Sequence, residues 1–134
     1  MKKIKVAIDF DGTVVTHEFP KIGKDIGAVP VLKRMIDNGY ILNLNTMRSG
    51  KELEEALQWF KERNIPLAGI NEDLGQKEWT QSPKTFAHIY IDDLAFGAPL
   101  KVDLSLSERA FIDWKAVEIK LFPETSEKKA IYDN

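Results

Sequence analysis

At 134 residues, with 43% hydrophobic and 30% charged side chains and a net charge of −2, the chain is sized for one soluble globular domain with a proper core. The near-neutral balance gives no basis for nonspecific binding to nucleic acid or an anionic membrane, and no segment approaches bilayer-spanning length. The lack of cysteine excludes disulfides, thiolate metal sites and a cysteine nucleophile, and with no signal-peptide pattern a cytoplasmic protein is expected.

Ile4 to Phe10 reads as a buried strand. Val31, Leu32, Met35 and Ile36 recur at helical spacing, with Pro30 near the start and Asn38-Gly39 as a stop. Tyr40 to Leu44 is a second strand, ending at Asn45-Thr46. Ser49-Gly50-Lys51-Glu52 has the spacing of a capping box, ahead of an apolar stripe of Leu53, Ala56, Leu57 and Phe60. That helix should stop near Asn64-Ile65-Pro66. Leu67 to Ile70 is a third strand, and His88 to Ile91 a fourth that ends at Asp92-Asp93. Ser105 and Glu108 again have capping-box spacing, with Phe111, Trp114, Val117 and Leu121 on one helical face. One domain is expected over residues 1–122, followed by a polar tail from Pro123 to Asn134. Alternation of strands and helices predicts an α/β fold with a central parallel sheet covered on both faces.

In such a sheet, ligands bind outside the carboxyl ends of the strands. Four polar clusters fall there: Asp9/Asp11, Thr46 with Arg48, Lys84, and Asp92/Asp93. Asp9 and Asp11 would repel each other at the end of a buried strand unless a cation or a reacting phosphate lay between them. A solvated Asp-Gly turn is the plain alternative, and the buried strand before it favours a site. Asp9 is placed to attack phosphorus, and Asp11 to protonate the leaving oxygen and later deprotonate water. Gly12 permits the sharp turn. Thr46 offers a hydroxyl beside a helix N-terminus, and Arg48 a fork for a substrate oxygen. Lys84 would neutralise nucleophile and phosphate, with Lys77 competing for that role. Asp92 and Asp93 add hard oxygen ligands, which suit Mg²⁺ better than Zn²⁺. His17 sits in a loop where it could brush substrate, whereas His88 and the tryptophans Trp59, Trp79 and Trp114 read as structural.

These residues resemble the haloacid dehalogenase-like (HAD) superfamily of phosphohydrolases. Asp9-Phe10-Asp11-Gly12-Thr13 matches its first motif, Asp-x-Asp-Gly-Thr; Thr46 in Leu44-Asn45-Thr46-Met47-Arg48 looks like the second, Lys84 the third and Asp92-Asp93 the fourth. The resemblance implies a Rossmann-like three-layer HAD core and an aspartyl-phosphate intermediate on Asp9. It also implies Mg²⁺ held by the Asp9 carboxylate, the Asp11 main-chain oxygen and an aspartate of the fourth motif, Asp92 or Asp93. Phe10, Asp11, Thr46, Met47, Arg48 and Lys84 make up the implied phosphate-binding set. An aspartate at position 11 matches the family's phosphatases, in the manner of its small bacterial and phage hydrolase-like members.

Neither the stretch after Asp11 nor that from Thr46 to Lys84 has room for a separate domain of about 50 residues, so no cap domain is expected. The site is then open to bulky phosphomonoesters, nucleic-acid ends included, or is closed by a neighbouring subunit of a homo-oligomer. The loop from Thr16 to Ala28 is the local candidate for a flap. Two rivals stand beside the phosphatase reading: a receiver-like signalling domain phosphorylated on Asp73, and a module that binds metal or phosphate without turnover.

Overall fold

The computed structural model describes residues 3–123. Its centre is a four-stranded, all-parallel sheet in the order β3-β2-β1-β4, built from β1 (Ile4–Ile8), β2 (Tyr40–Leu44), β3 (Gly69–Ile70) and β4 (Ile89–Ile91). Helices α1 (Ala28–Asp37) and α2 (Gly50–Glu62) connect the first three strands, which makes the fold α/β and Rossmann-like. No helix among the described residues is long and apolar enough to cross a membrane.

Strand alternation divides the work between the two faces of the sheet. Val6, Ile8, Leu42 and Leu44 join one apolar cluster with Val31, Leu32 and Met35 of α1 and with Ala56, Trp59 and Phe60 of α2. Lys5 and Asn43, at alternate positions, meet instead Asp73 in the segment that leads from β3 to β4. That segment contains a short 3-10 turn, Gln76–Glu78, and is organised by the buried Gln76 amide. Its Oε1 accepts the N–H groups of Asp73 and Phe86 at 3.0 and 2.8 Å, and its Nε2 donates to the Lys84 carbonyl at 2.7 Å. One layer over the sheet is therefore helical and apolar, the other thinner and polar.

The C-terminal part departs from the sequence expectation. Ser105 and Glu108 do not start a helix; Ser105 instead closes a turn, its N–H and hydroxyl both donating to Asp103. Phe111–Ile112 forms a strand, β6, antiparallel to β5 (Leu100–Lys101). Helix α3 (Trp114–Leu121) starts behind Asp113, whose carboxylate accepts the Ala116 N–H at 3.2 Å. Tertiary pull outweighs the local spacing here. Phe111 and Ile112 are buried, and the Ile112 N–H donates to the Gly12 carbonyl at 3.2 Å, so extended chain satisfies both. At α2 the helix does begin after Ser49, but the serine side chain makes no capping bond. The expected polar tail lies, apart from Pro123, outside the described residues.

Candidate functional site

Sheet register builds the site. Ile8 pairs with Leu44 on one side and Ile91 on the other, so the next residues, Asp9, Asn45 and Asp92, emerge side by side at the carboxyl edge. The ladder extends one bond further on each side, from the Asp9 N–H to the Ile91 carbonyl (3.0 Å) and from the Asn45 N–H to the Ile8 carbonyl (2.8 Å). Asp9, Asp92 and Asp93 thereby offer ligand oxygens that all lie within 4.8 Å of one another.

Past Asp9 the chain folds tightly. The Phe10 carbonyl accepts from the N–H groups of Thr13 and Val14 at 3.1 and 2.8 Å, while Gly12 takes a left-handed φ of 80°. A Cβ at residue 12 would also collide with the Asp93 carboxylate, so glycine serves both the turn and the close approach. Thr13 stitches the two acidic segments together. Its hydroxyl accepts the Asp93 N–H at 3.0 Å and has its own proton for Asp9 Oδ2 at 2.9 Å or Asp93 Oδ1 at 3.2 Å. From the other side, the Trp114 indole N–H donates to the Thr13 carbonyl at 2.7 Å. The C-terminal segment thus fixes the turn through Ile112 and Trp114, a long-range support with no signal in local sequence.

Burial pushes the Asp9 carboxyl up to about 7 from an ordinary 3.8, with the charge of Asp92 and a contact to Asp93 adding to it. Hydrogen bonds from Thr13 and the Phe10 N–H offset part of that rise. Carboxyl groups brought this close repel one another when charged, and a positive ion between them would relax that repulsion. All their donors are hard oxygens, and a small divalent cation such as Mg²⁺ fits that set.

Asp11 is treated differently. Arg48 forks onto it, Nε to Oδ2 at 2.8 Å and Nη2 to Oδ1 at 2.7 Å. The remaining guanidinium protons go to the carbonyls of Pro20, Lys21 and Glu52, and the group lies between the Phe10 and Phe19 rings at 5.1 and 5.2 Å. The Arg48 side chain is 1% exposed, and the fork that the sequence reading offered to a substrate oxygen is engaged by Asp11.

Thr46 is held by its N–H, which donates to Asn71 Oδ1 at 2.8 Å, and its hydroxyl accepts the Arg48 N–H at 3.1 Å. Asp9, Asp11, His17, Phe19, Thr46, Met47, Arg48, Asp93, Leu94 and Arg109 line one cavity of about 230 Å³. Asp92 belongs to the acidic cluster but is not among the residues that line this cavity. Phe10 brings no side chain to the cavity, since its ring is buried against Trp59 and Phe60. Lys84 is exposed, with its ammonium 5.5 Å from the Tyr90 ring centre, and is not among the lining residues. Its rival Lys77 pairs with Glu72 at 3.4 Å. Arg109, to which no motif points, does line the cavity. Of the residues read as structural, Trp59 and Trp114 are buried, Trp79 is exposed, and His88 accepts the Lys5 N–H through Nδ1.

No family model matches the chain, and no curated protein does. A solved structure of a conserved protein from Bacteroides thetaiotaomicron is similar over nearly the whole length. The two superpose with a TM-score of 0.75 at 29% identity, covering 92% of this chain and 93% of that one. The likeness supports the Rossmann-like α/β fold.

Proposed function

We propose that this protein is a Mg²⁺-dependent phosphomonoester hydrolase of the HAD type, acting in the cytoplasm without a cap domain. The supporting observation is the convergence of Asp9, Asp92 and Asp93 within 4.8 Å beside a cavity, with no basic partner of their own among the described residues. Mg²⁺ would be held by the Asp9 carboxylate, the Asp11 main-chain oxygen and Asp92 or Asp93, screening the nucleophile and drawing charge from the phosphoryl oxygens.

Asp9 attacks phosphorus, forming an O–P bond as the bond to the leaving alkoxide breaks. The acid form of Asp11, which must give up one Arg48 hydrogen bond to carry the proton, supplies the proton that makes it an alcohol. Asp11 then takes a proton from water, which attacks the aspartyl phosphate and releases inorganic phosphate with the Asp9 carboxylate restored. Arg48 acts as a positioning residue, aiming Asp11 rather than touching substrate. The Thr46 hydroxyl and the chain at Met47, which line the same cavity, would contact the phosphate. Phe19, Met47 and Leu94 give the cavity exposed apolar lining, which suits a phosphomonoester with an apolar or aromatic body.

The receiver-like reading loses support from the surroundings of Asp73. That carboxylate is 3% exposed and clasped by Lys5 and Asn43, leaving no approach for a phosphodonor. The experiment is Mg²⁺-dependent phosphate release across a panel of phosphomonoesters that includes oligonucleotide ends and phosphopeptides, with Asp9→Asn as the inactive control. Release by the wild type alone supports the proposal; no release from any of them refutes it.

A further inference from the structure

A dianionic phosphate entering this cavity meets the carboxylates of Asp9, Asp11 and Asp93 on its walls and needs positive charge from the protein as well as from a metal. Two cationic side chains line the cavity, Arg48 and Arg109. Arg48 is saturated: its guanidinium donates to both Asp11 oxygens and three backbone carbonyls. Lys84 stands over Tyr90, away from the wall. Arg109 remains, exposed and without an acidic partner among the described residues.

Its place is fixed by backbone. Three residues on, Ile112 is buried and bonded to the Gly12 carbonyl, inside the turn that carries Asp9 and Asp11. On the other flank the Arg109 N–H donates to Ser107 Oγ at 3.1 Å, and Lys24 Nζ reaches the Leu106 carbonyl at 2.8 Å, tying this loop to the one after β1. The chain is thereby held at Leu106 and at Ile112, and Arg109 between them lines the cavity beside the acidic turn.

We propose that Arg109 is the residue that binds the substrate's phosphate, taking from a C-terminal loop the role that motif order assigns to Lys84. The inference rests on the phosphohydrolase reading of the same cavity. A planar fork matches two phosphoryl oxygens, so lysine at this position would restore the charge without the paired contact.

The test is calorimetric titration of inorganic phosphate into Mg²⁺-loaded protein, comparing wild type, Arg109→Ala, Arg109→Lys and Lys84→Ala, each checked for an unchanged melting curve. Arg109→Ala is expected to weaken phosphate binding about tenfold or more, Arg109→Lys less, and Lys84→Ala within about twofold. Wild-type affinity in Arg109→Ala, a loss confined to Lys84→Ala, or no phosphate binding by the wild type overturns the proposal. Turnover is read separately. Absent phosphate release with a tenfold binding loss in Arg109→Ala would refute the hydrolase and leave the anion site standing, whereas release with unaltered binding in Arg109→Ala would do the reverse.

Discussion

Two acidic groups beside the central sheet have opposite fates. Asp73 is buried, yet an ammonium and an amide outweigh the cost of that burial and hold its carboxyl below 3.8; Lys5 approaches at 2.5 Å and Asn43 at 3.0 Å. Asp9 has no such partner among the described residues: burial, with the charge of Asp92 and a contact to Asp93 adding to it, drives its carboxyl up to about 7. The first is a clip between the sheet and its polar layer. The second is a set of like charges that could hold a cation. Asp11, gripped by Arg48, lies between the two: paired like Asp73, but at the cavity wall like Asp9. Burial raises both carboxyls, and what separates them is the partner the fold supplies: cation and amide at Asp73, further carboxyls at Asp9.

The widest break in this contrast should come from Asp9→Asn. Phosphate release should fall by at least about a thousandfold, since the nucleophile is gone. In metal-free buffer the same variant should be more stable by about 1 kcal/mol in chemical denaturation, because a buried repulsive charge is removed. A stability loss instead would mean that Asp9 is a packing residue.

Arg48→Lys comes next. A lysine cannot span both Asp11 oxygens and the three carbonyls, so a loss of about 3 kcal/mol is expected, with kcat falling more than KM rises. A change in KM alone would return Arg48 to the substrate.

Asp73→Asn should cost about 2 kcal/mol at neutral pH and leave turnover intact. The sign of its pH dependence is fixed. A lowered native pKa stabilises above the unfolded carboxyl value and is lost as pH falls through the lower folded one, so the wild type should lose this increment below about pH 3.8 and the variant should not. Melting curves across that range decide it.

The smallest expected effect is that of Trp114→Phe, which keeps the packing but removes the indole donor to the Thr13 carbonyl. About 1 kcal/mol should be lost, with a several-fold drop in kcat as the turn loosens.

Much of this was legible in sequence because it is local. The strand at Tyr40–Leu44 is found at its expected bounds, and the runs around Ile4–Ile8 and Ile89–Ile91 carry the right residues to the right edge. The aspartates of Asp9 and Asp92-Asp93 are brought together, as their positions after apolar strands predict. The misses are long-range. Arg48 reaches back to Asp11 across 37 positions, and nothing in its neighbours reveals that bond. Ser105 and Glu108 carry a helix-start spacing, but pairing of β5 with β6 and the pull of Gly12 on Ile112 impose extended chain. Arg109 belongs to no motif and gains its position only from those same contacts.

The account rests on one divalent cation completing the Asp9, Asp92, Asp93 cluster, and the most direct measurement is Mn²⁺ binding followed by electron paramagnetic resonance. A single tight site is predicted for the wild type and for Asp73→Asn, lost when Asp9, Asp92 and Asp93 are all changed to asparagine. Undiminished binding in that triple variant, or none in the wild type, would contradict it.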